Sequence, residues 1–237
     1  MSNFPFQRLQ NDLAALIART PAGQRLPSEP DLAKQLGVSR ATLREAMRAF
    51  ETQGLIRRRQ GSGTFVVGKV QALDSGLEVL ESLETMAKRL DLEISVSDLH
   101  VEQVIADEDL AAGLNVAVGS QLLRVRRVVR TDGRPVAYLV DTLPEDILHI
   151  EDLSADFHGS VLDYLLGRGD PLKTSRANVS AIGATAEVAK ALEIQRGDVL
   201  LHFYSQLFDV NNKVVDYSLS YFIPGYFHFH VVRRVGN

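Results

Sequence analysis

Near the start of the chain, apolar side chains fall at Phe6, Leu9, Leu13, Leu16 and Ile17. The spacing i, i+3, i+7, i+10, i+11 puts them on one face of an amphipathic helix. The segment Thr20–Pro27 reads as a loop broken by Pro21, Gly23 and Pro27. Ser28 stands where a hydroxyl caps a second helix, with Asp31 at the capping-box position. Leu32, Ala33 and Leu36 give that helix a core face, and Gly37 suits the left-handed residue that ends it. Ser39 caps a third helix, Arg40–Gln53, which Gly54 terminates. Two short helices across a tight Gly-containing turn make a helix-turn-helix. Beyond it, Ile56 and Phe65–Val67 read as short strands, with Gly61-Ser62-Gly63 as their hairpin turn.

The rest of the chain carries a diverged internal repeat. Leu114–Leu123 resembles Leu192–Leu201, an offset of 192 − 114 = 78 residues. Each copy opens with a short helix, Glu108–Leu114 or Ala186–Leu192. A strand follows (Leu122–Arg130; Leu200–Phe208), then a polar turn and a second strand (Val136–Leu143; Val214–Ile223) that ends at Pro144 or Pro224. Two helix–hairpin units predict one antiparallel sheet with helices packed on it, an α+β domain.

The predicted third helix has two distinct sides. Leu43, Ala46, Met47 and Phe50 cluster on one, and Arg40, Arg44 and Arg48 on another, roughly 130° away at ~100° per residue. Arginine matches phosphate oxygens and the guanine O6/N7 edge. The plainer alternative is a solvated basic face with Glu45 and Glu51 as helix partners. The hairpin favours the first reading. Arg57, Arg58 and Arg59 lead into it, and Gly61 and Gly63 leave room for close backbone approach to DNA. No Gly-Lys-Ser/Thr follows the glycines, so they do not form a nucleotide P-loop.

Charge separates the two parts. The 237 residues hold 26 Lys+Arg and 30 Asp+Glu, a net of −4. Residues 1–69 hold 11 and 5, a net of +6; the remaining 15 and 25 give −10. A basic front and an acidic rear point to two domains with different partners. The absence of cysteine excludes disulfides, thiolate metal sites and a cysteine nucleophile. Of the six histidines only His228 and His230 have suggestive spacing, and polar positions on an edge strand explain them. No metal or cofactor is expected. The N-terminus lacks the features of a signal peptide, and no run approaches the ~20 apolar residues of a membrane helix, so the expected location is the cytoplasm.

The stretch LPSEPDLAKQLGVSRATLREAMRAFETQGLIRRRQGSGTFV strongly resembles the DNA-binding domain of GntR-type transcriptional regulators, over about residues 4–67. The resemblance implies that the start of the recognition helix and the wing contact the operator. By position it marks Ser39, Arg40, Thr42 and Arg44, with Gln60 and Gly61 in the wing. Arg48 and Arg58 join them from periodicity and charge. Pro30 stands where relatives often carry Arg, which implies a different operator preference.

The segments LNVAVGSQLLRVRRVVRTDGRPVA, GSVLDYL and VVDYSLSYFIPGYFHFHVVRR resemble the UTRA effector-binding domain of the HutC subfamily, over about residues 80–235. That resemblance implies a chorismate-lyase-like fold that binds small molecules to control DNA binding. The expected organisation is therefore a winged helix-turn-helix at 1–67, a linker at 68–80, and an effector-binding and dimerisation domain at 81–237.

Strand alternation adds ligand candidates. Leu123, Val125, Arg127 and Val129 share a face on which Arg127 is the lone charge. A buried guanidinium needs a partner. An anionic ligand is one, and a structural carboxylate such as Asp141 or Asp216 is the other. Ser160 matches a family serine at a helix start, where it could hold an anion or simply cap the helix. The resemblance adds Asp216, an acidic position that sugar-binding relatives use. Tyr204 and Tyr221 are candidates for lining the pocket, or else core aromatics. Leu139, Leu162, Ile223 and Gly225 depart from the sugar-phosphate pattern and imply a more apolar pocket.

Together these features predict a ligand-responsive transcriptional regulator, a repressor. It acts as a homodimer on pseudo-palindromic double-stranded operator DNA and answers to a small-molecule effector, an anionic one if Arg127 anchors it. The alternative is a lyase-type enzyme domain fused to a DNA-binding head. No nucleophile–base pair or metal constellation in the sequence supports it.

Overall fold

The structure is a computed structural model that describes residues 4–21, 23–52, 54–59, 62–67, 73–153 and 157–234. It divides into two compact units, residues 1–72 with 224–228, and residues 73–223 with 229–237.

The first unit carries α1 (Phe4–Arg19), α2 (Glu29–Leu36), α3 (Arg40–Thr52), β1 (Ile56–Arg59) and β2 (Gly63–Val66). The local signals act as the sequence predicts. The Ser28 hydroxyl accepts from the Asp31 N–H, and Gly37 ends α2 at φ 66°. The Ser39 hydroxyl accepts from the Thr42 N–H at 3.1 Å. Leu9, Leu13 and Ile17 of α1 meet Leu43, Ala46, Met47 and Phe50 of α3 in one core, which Ile56 and Val66 of the hairpin close. The hairpin is antiparallel, with Ile56 opposite Val66 and Arg58 opposite Thr64. The segment read as a loop before α2 is a loop that touches the hairpin. Arg25 bridges Phe65, and the Leu26 N–H donates to the Thr64 carbonyl at 2.8 Å.

The second unit begins with β3 (Leu73–Gly76), inside the segment expected to be linker, and α4 (Leu83–Arg89). Then come β4 (Ser95–Ile105), α5 (Glu108–Leu114), β5 (Gln121–Thr131), β6 (Arg134–Pro144), a single 3-10 turn and α6 (Val161–Arg168). The order closes with β7 (Leu172–Gly183), α7 (Ala186–Ala191), β8 (Val199–Asp209), β9 (Val214–Phe222) and β10 (Phe227–His230), along which the division between the units runs. Six strands form one antiparallel sheet in the order β4-β5-β6-β9-β8-β7.

That order reads the same from both edges because the repeat is real and longer than the sequence pattern suggested. Each copy is strand–helix–hairpin: β4-α5-β5-β6 and β7-α7-β8-β9. Asp107 and Thr185 cap equivalent helices. Asn115 and Glu193 both adopt φ 55°, and Gly119 and Gly197 take φ 89° and 87°. Equivalent backbone bonds fasten each turn, Gly119 N–H to Ala106 C=O at 2.8 Å and Gly197 N–H to Ala184 C=O at 2.9 Å.

Two cores flank the sheet. Leu123, Val125, Leu143, Leu207 and Val215 pack against Val161 and Leu165 of α6. On the other side Leu122 and Val214 pack against Leu110, Ala111 and Leu114 of α5.

Candidate DNA-binding face and ligand site

The start of α3 presents its polar groups to solvent. Ser39, Arg40, Thr42 and Arg44 are all exposed, and the Ser39 and Thr42 hydroxyls lie 2.8 Å apart. Arg44 is not an idle surface charge. Its Nε donates to Glu29 Oε2 of α2 at 2.6 Å, while its side chain stays 56% exposed. Arg58 is drawn inward. It stands 3.4 Å from Glu51 and 3.9 Å from Glu29, and its Nη2 donates to the Arg44 carbonyl at 3.3 Å. It thus joins the hairpin to α3 and α2, a role that a count of basic residues does not reveal. Arg48 is half-buried. Gln60 and Gly61, the candidate wing contacts, lie outside the described residues.

Arg25 escaped the sequence reading. A Cβ on Gly63 would collide with its guanidinium, so Arg25 lies against the turn end of the hairpin, where Gly63 pairs with Arg59. Its charge and its place beside breaker residues were visible in the sequence, but the backbone pairing that carries it there was not.

In the second unit, sheet register sorts the ligand candidates by face, because directly paired residues point the same way. Val125, Asp141, Ser218 and Ser205 form one such row, and Arg127, Leu139, Ser220 and Phe203 another on the same face. Asp216, paired with Leu207, also lies there. Arg126, Val140, Leu219 and Tyr204 form a row on the opposite face, as do Tyr138, Tyr221 and His202. The sheet therefore brings Arg127 and Asp216 together and separates both from Tyr204 and Tyr221.

Arg127 is 5% exposed and has found carboxylates. Its Nη1 donates to Asp141 Oδ2 at 2.5 Å, and its Nε is 3.7 Å from Glu84 Oε1 of α4. Gly159 leaves room for the Arg127 stem, which a Cβ there would strike. Burial raises the Asp216 carboxyl well above the ordinary aspartate range, Asp141 pushes it further, and a Thr142 backbone hydrogen bond and Arg127 oppose the rise. Ser160 caps α6, its hydroxyl accepting from the Asp163 N–H at 3.3 Å. The Asp163 carboxylate in turn accepts from Ser82 at 2.7 Å and Thr85 at 3.3 Å, which ties α4 to α6.

On the opposite face the aromatics form a packed row. Tyr138 stacks on Tyr221 with centroids 5.9 Å apart, Tyr221 meets the His202 ring at 4.8 Å, and Tyr204 meets Tyr217 edge-on at 5.1 Å. The Tyr138 hydroxyl donates to Glu187 of α7 at 2.9 Å, and burial with that carboxylate pushes the phenol up to about 12. His230 lies 2.9 Å from Asp74, so its ring serves a structural contact.

Residues 6–66 match the sequence profile of the gntR family of bacterial regulatory proteins, and residues 89–228 match that of the UTRA domain. A probable fructoselysine utilization operon transcriptional repressor of Escherichia coli K12 is 29% identical over 220 residues, 90% of this chain and 86% of that one. The transcriptional repressor NagR of Bacillus subtilis is 26% identical over 196 residues, 82% of this chain and 79% of its own. The crystal structure of PhnF from Mycobacterium smegmatis shares the fold, with a TM-score of 0.65 at 23% identity over 96% of this chain and 100% of that one. With a helix-turn-helix and wing in the first unit and this six-stranded domain in the second, the chain belongs to the GntR family of transcriptional regulators and is one of its ligand-responsive, UTRA-bearing members.

Proposed function

We propose that the protein is a cytoplasmic repressor that binds pseudo-palindromic operator DNA as a homodimer and changes its grip when a small molecule occupies the second unit. The observation that carries this reading is the exposed start of α3 beside a basic hairpin. Four side chains, Ser39, Arg40, Thr42 and Arg44, face solvent at the end of the helix that enters a major groove in such folds. Arg44 reads a base edge or a phosphate. Arg40 and Arg48 follow the backbone, and Gln60, Gly61 and Arg25 meet the DNA at the wing. Arg58 contributes mainly by holding the hairpin against α3.

The effector site lies on the Arg127 face of the sheet, beneath α4 and beside the start of α6 at Ser160, with Asp216 at its floor. Tyr204 and Tyr221 serve a separate contact on the other face. The bound molecule is sensed and released unchanged, so that the site acts as a receptor and not as a lyase.

The test has two stages. Duplexes selected from a random pool by the full chain are titrated by fluorescence anisotropy, first with the protein alone and then with metabolites that raise its melting temperature. The expected result is an inverted-repeat duplex whose affinity shifts with a ligand that is recovered chemically unchanged. A ligand consumed on incubation, or one without effect on DNA affinity, contradicts the reading.

A further inference from the structure

The C-terminal end of the recognition helix has a partner from the far end of the chain. Gly54 terminates α3 at φ 70°, its N–H donating to the Glu51 carbonyl at 3.0 Å and the Leu55 N–H to the Phe50 carbonyl at 2.9 Å. This pair of bonds is the Schellman arrangement, which calls for a left-handed residue. Ile56 opens β1 two residues later, so Gly54 is the joint between α3 and the wing hairpin. A Cβ on Gly54 would stand 2.6 Å from Cζ and 2.6 Å from the hydroxyl oxygen of Tyr226. The space in which any other residue would carry a side chain is thus filled by a buried tyrosine ring.

Tyr226 reaches this joint on a short loop. Residues 224–228 belong to the first unit, whereas the residues on either side of them belong to the second. Gly225 turns the chain at φ 96°. Both feet of the loop are fixed in the second unit. The Ile223 N–H donates to the Val136 carbonyl at 2.9 Å. The Phe222 and Phe229 rings meet with centroids 5.2 Å apart, and each meets Phe203 of β8, at 5.3 and 4.8 Å. Phe203 shares its row of the sheet with Ser220, Leu139 and Arg127, on the face where the ligand site is proposed. Close-packed rings do not deform gradually, so a shift of one is passed to the next. We infer that Tyr226 is a positioning residue for the recognition helix, and that the loop 222–229 carries a rearrangement of the Arg127 face to the joint between α3 and the hairpin. A ligand that displaces Phe203 moves the feet of the loop, and with them the ring on Gly54. This inference rests on the ligand-responsive DNA binding proposed above and names the route of the response.

The test uses the full chain and a duplex that it selects from a random pool, with affinity read by fluorescence anisotropy. Tyr226→Ala takes the ring off Gly54. Phe203→Leu loosens the feet of the loop from within the second unit. Phe229→Leu does the same at a more exposed position, which keeps the test open should the buried site not tolerate the change. Each leucine variant is also combined with Tyr226→Ala, and circular dichroism confirms the fold of every protein. Tyr226→Ala should weaken binding at least about threefold, and with Tyr226 in place each leucine variant should change the dissociation constant at least about threefold. In the Tyr226→Ala background the same leucine substitutions should change it less than about 1.5-fold, because the route is already cut. Side chains that only support their own units would give penalties that multiply, and that result would overturn the inference. An affinity untouched by Tyr226→Ala, or by both leucine substitutions, would also overturn it while leaving the DNA-binding reading in place. A wild-type chain that selects no duplex would overturn that reading, and this inference with it.

Discussion

Arg44 has a counterion before it has DNA. Glu29 holds its Nε at 2.6 Å while more than half of the side chain stays in solvent, an arrangement that aims the guanidinium outward. Exposed pairs of this kind add little to stability, ~0–1 kcal/mol. Arg44→Ala should therefore leave the thermal midpoint nearly unchanged and weaken DNA binding by about 1–3 kcal/mol, checked by anisotropy titration. An equal loss of folding and binding would make Arg44 structural. Asp216 supports a second prediction at this scale. Its carboxyl is raised in the folded chain by burial and by Asp141, whereas the unfolded chain ionises it from about pH 4. Its contribution to stability is therefore whole below about pH 4 and is lost as pH rises through the folded value. Asparagine cannot ionise, so Asp216→Asn should gain stability over wild type as pH climbs from about 4 to 7 in urea titrations. A pH-independent difference would contradict the assignment. Alternation along β5 made Arg127 legible as a buried charge, but not its full set of partners. Glu84 lies 127 − 84 = 43 residues away on another element, and no local pattern records that encounter.

At the scale of elements, the helices of the first unit were readable because each signal is local: a capping hydroxyl, an apolar face, a left-handed glycine. The docking of the loop at Arg25 onto the hairpin was not, since its backbone hydrogen bonds run to Thr64 and Val66 some forty residues on. In the second unit the hairpins and helices of the repeat stood out, while β4 and β7 did not. Both are edge strands with mostly exposed side chains, so neither shows the alternation that burial imposes. The repeat supplies its own test. Asp107 and Thr185 cap equivalent helices, accepting at 2.9 and 3.3 Å. Asp107→Ala and Thr185→Ala should each cost about 1 kcal/mol in denaturant unfolding. A negligible loss at both positions would mean that the caps do not hold these helices.

At the scale of the whole molecule, the net charge of −4 conceals a head of +6 and a body of −10. Such a division confines DNA attraction to one unit and keeps the ligand-binding unit off the polyanion. Ligand and DNA affinities should be linked reciprocally, each shifting the other by the same factor, with a coupling of about 1–3 kcal/mol. Calorimetric titration of an effector with and without a saturating duplex measures this directly, and equal affinities in the two states would contradict regulation through the second unit.

The central claim is that a basic head grips DNA through phosphate contacts in a two-fold assembly. The most direct test is the salt dependence of affinity for a selected duplex. With ~4 phosphate contacts per subunit and two subunits, a plot of log K against log salt concentration should have a slope of about −7. A slope near zero would contradict DNA recognition by this face.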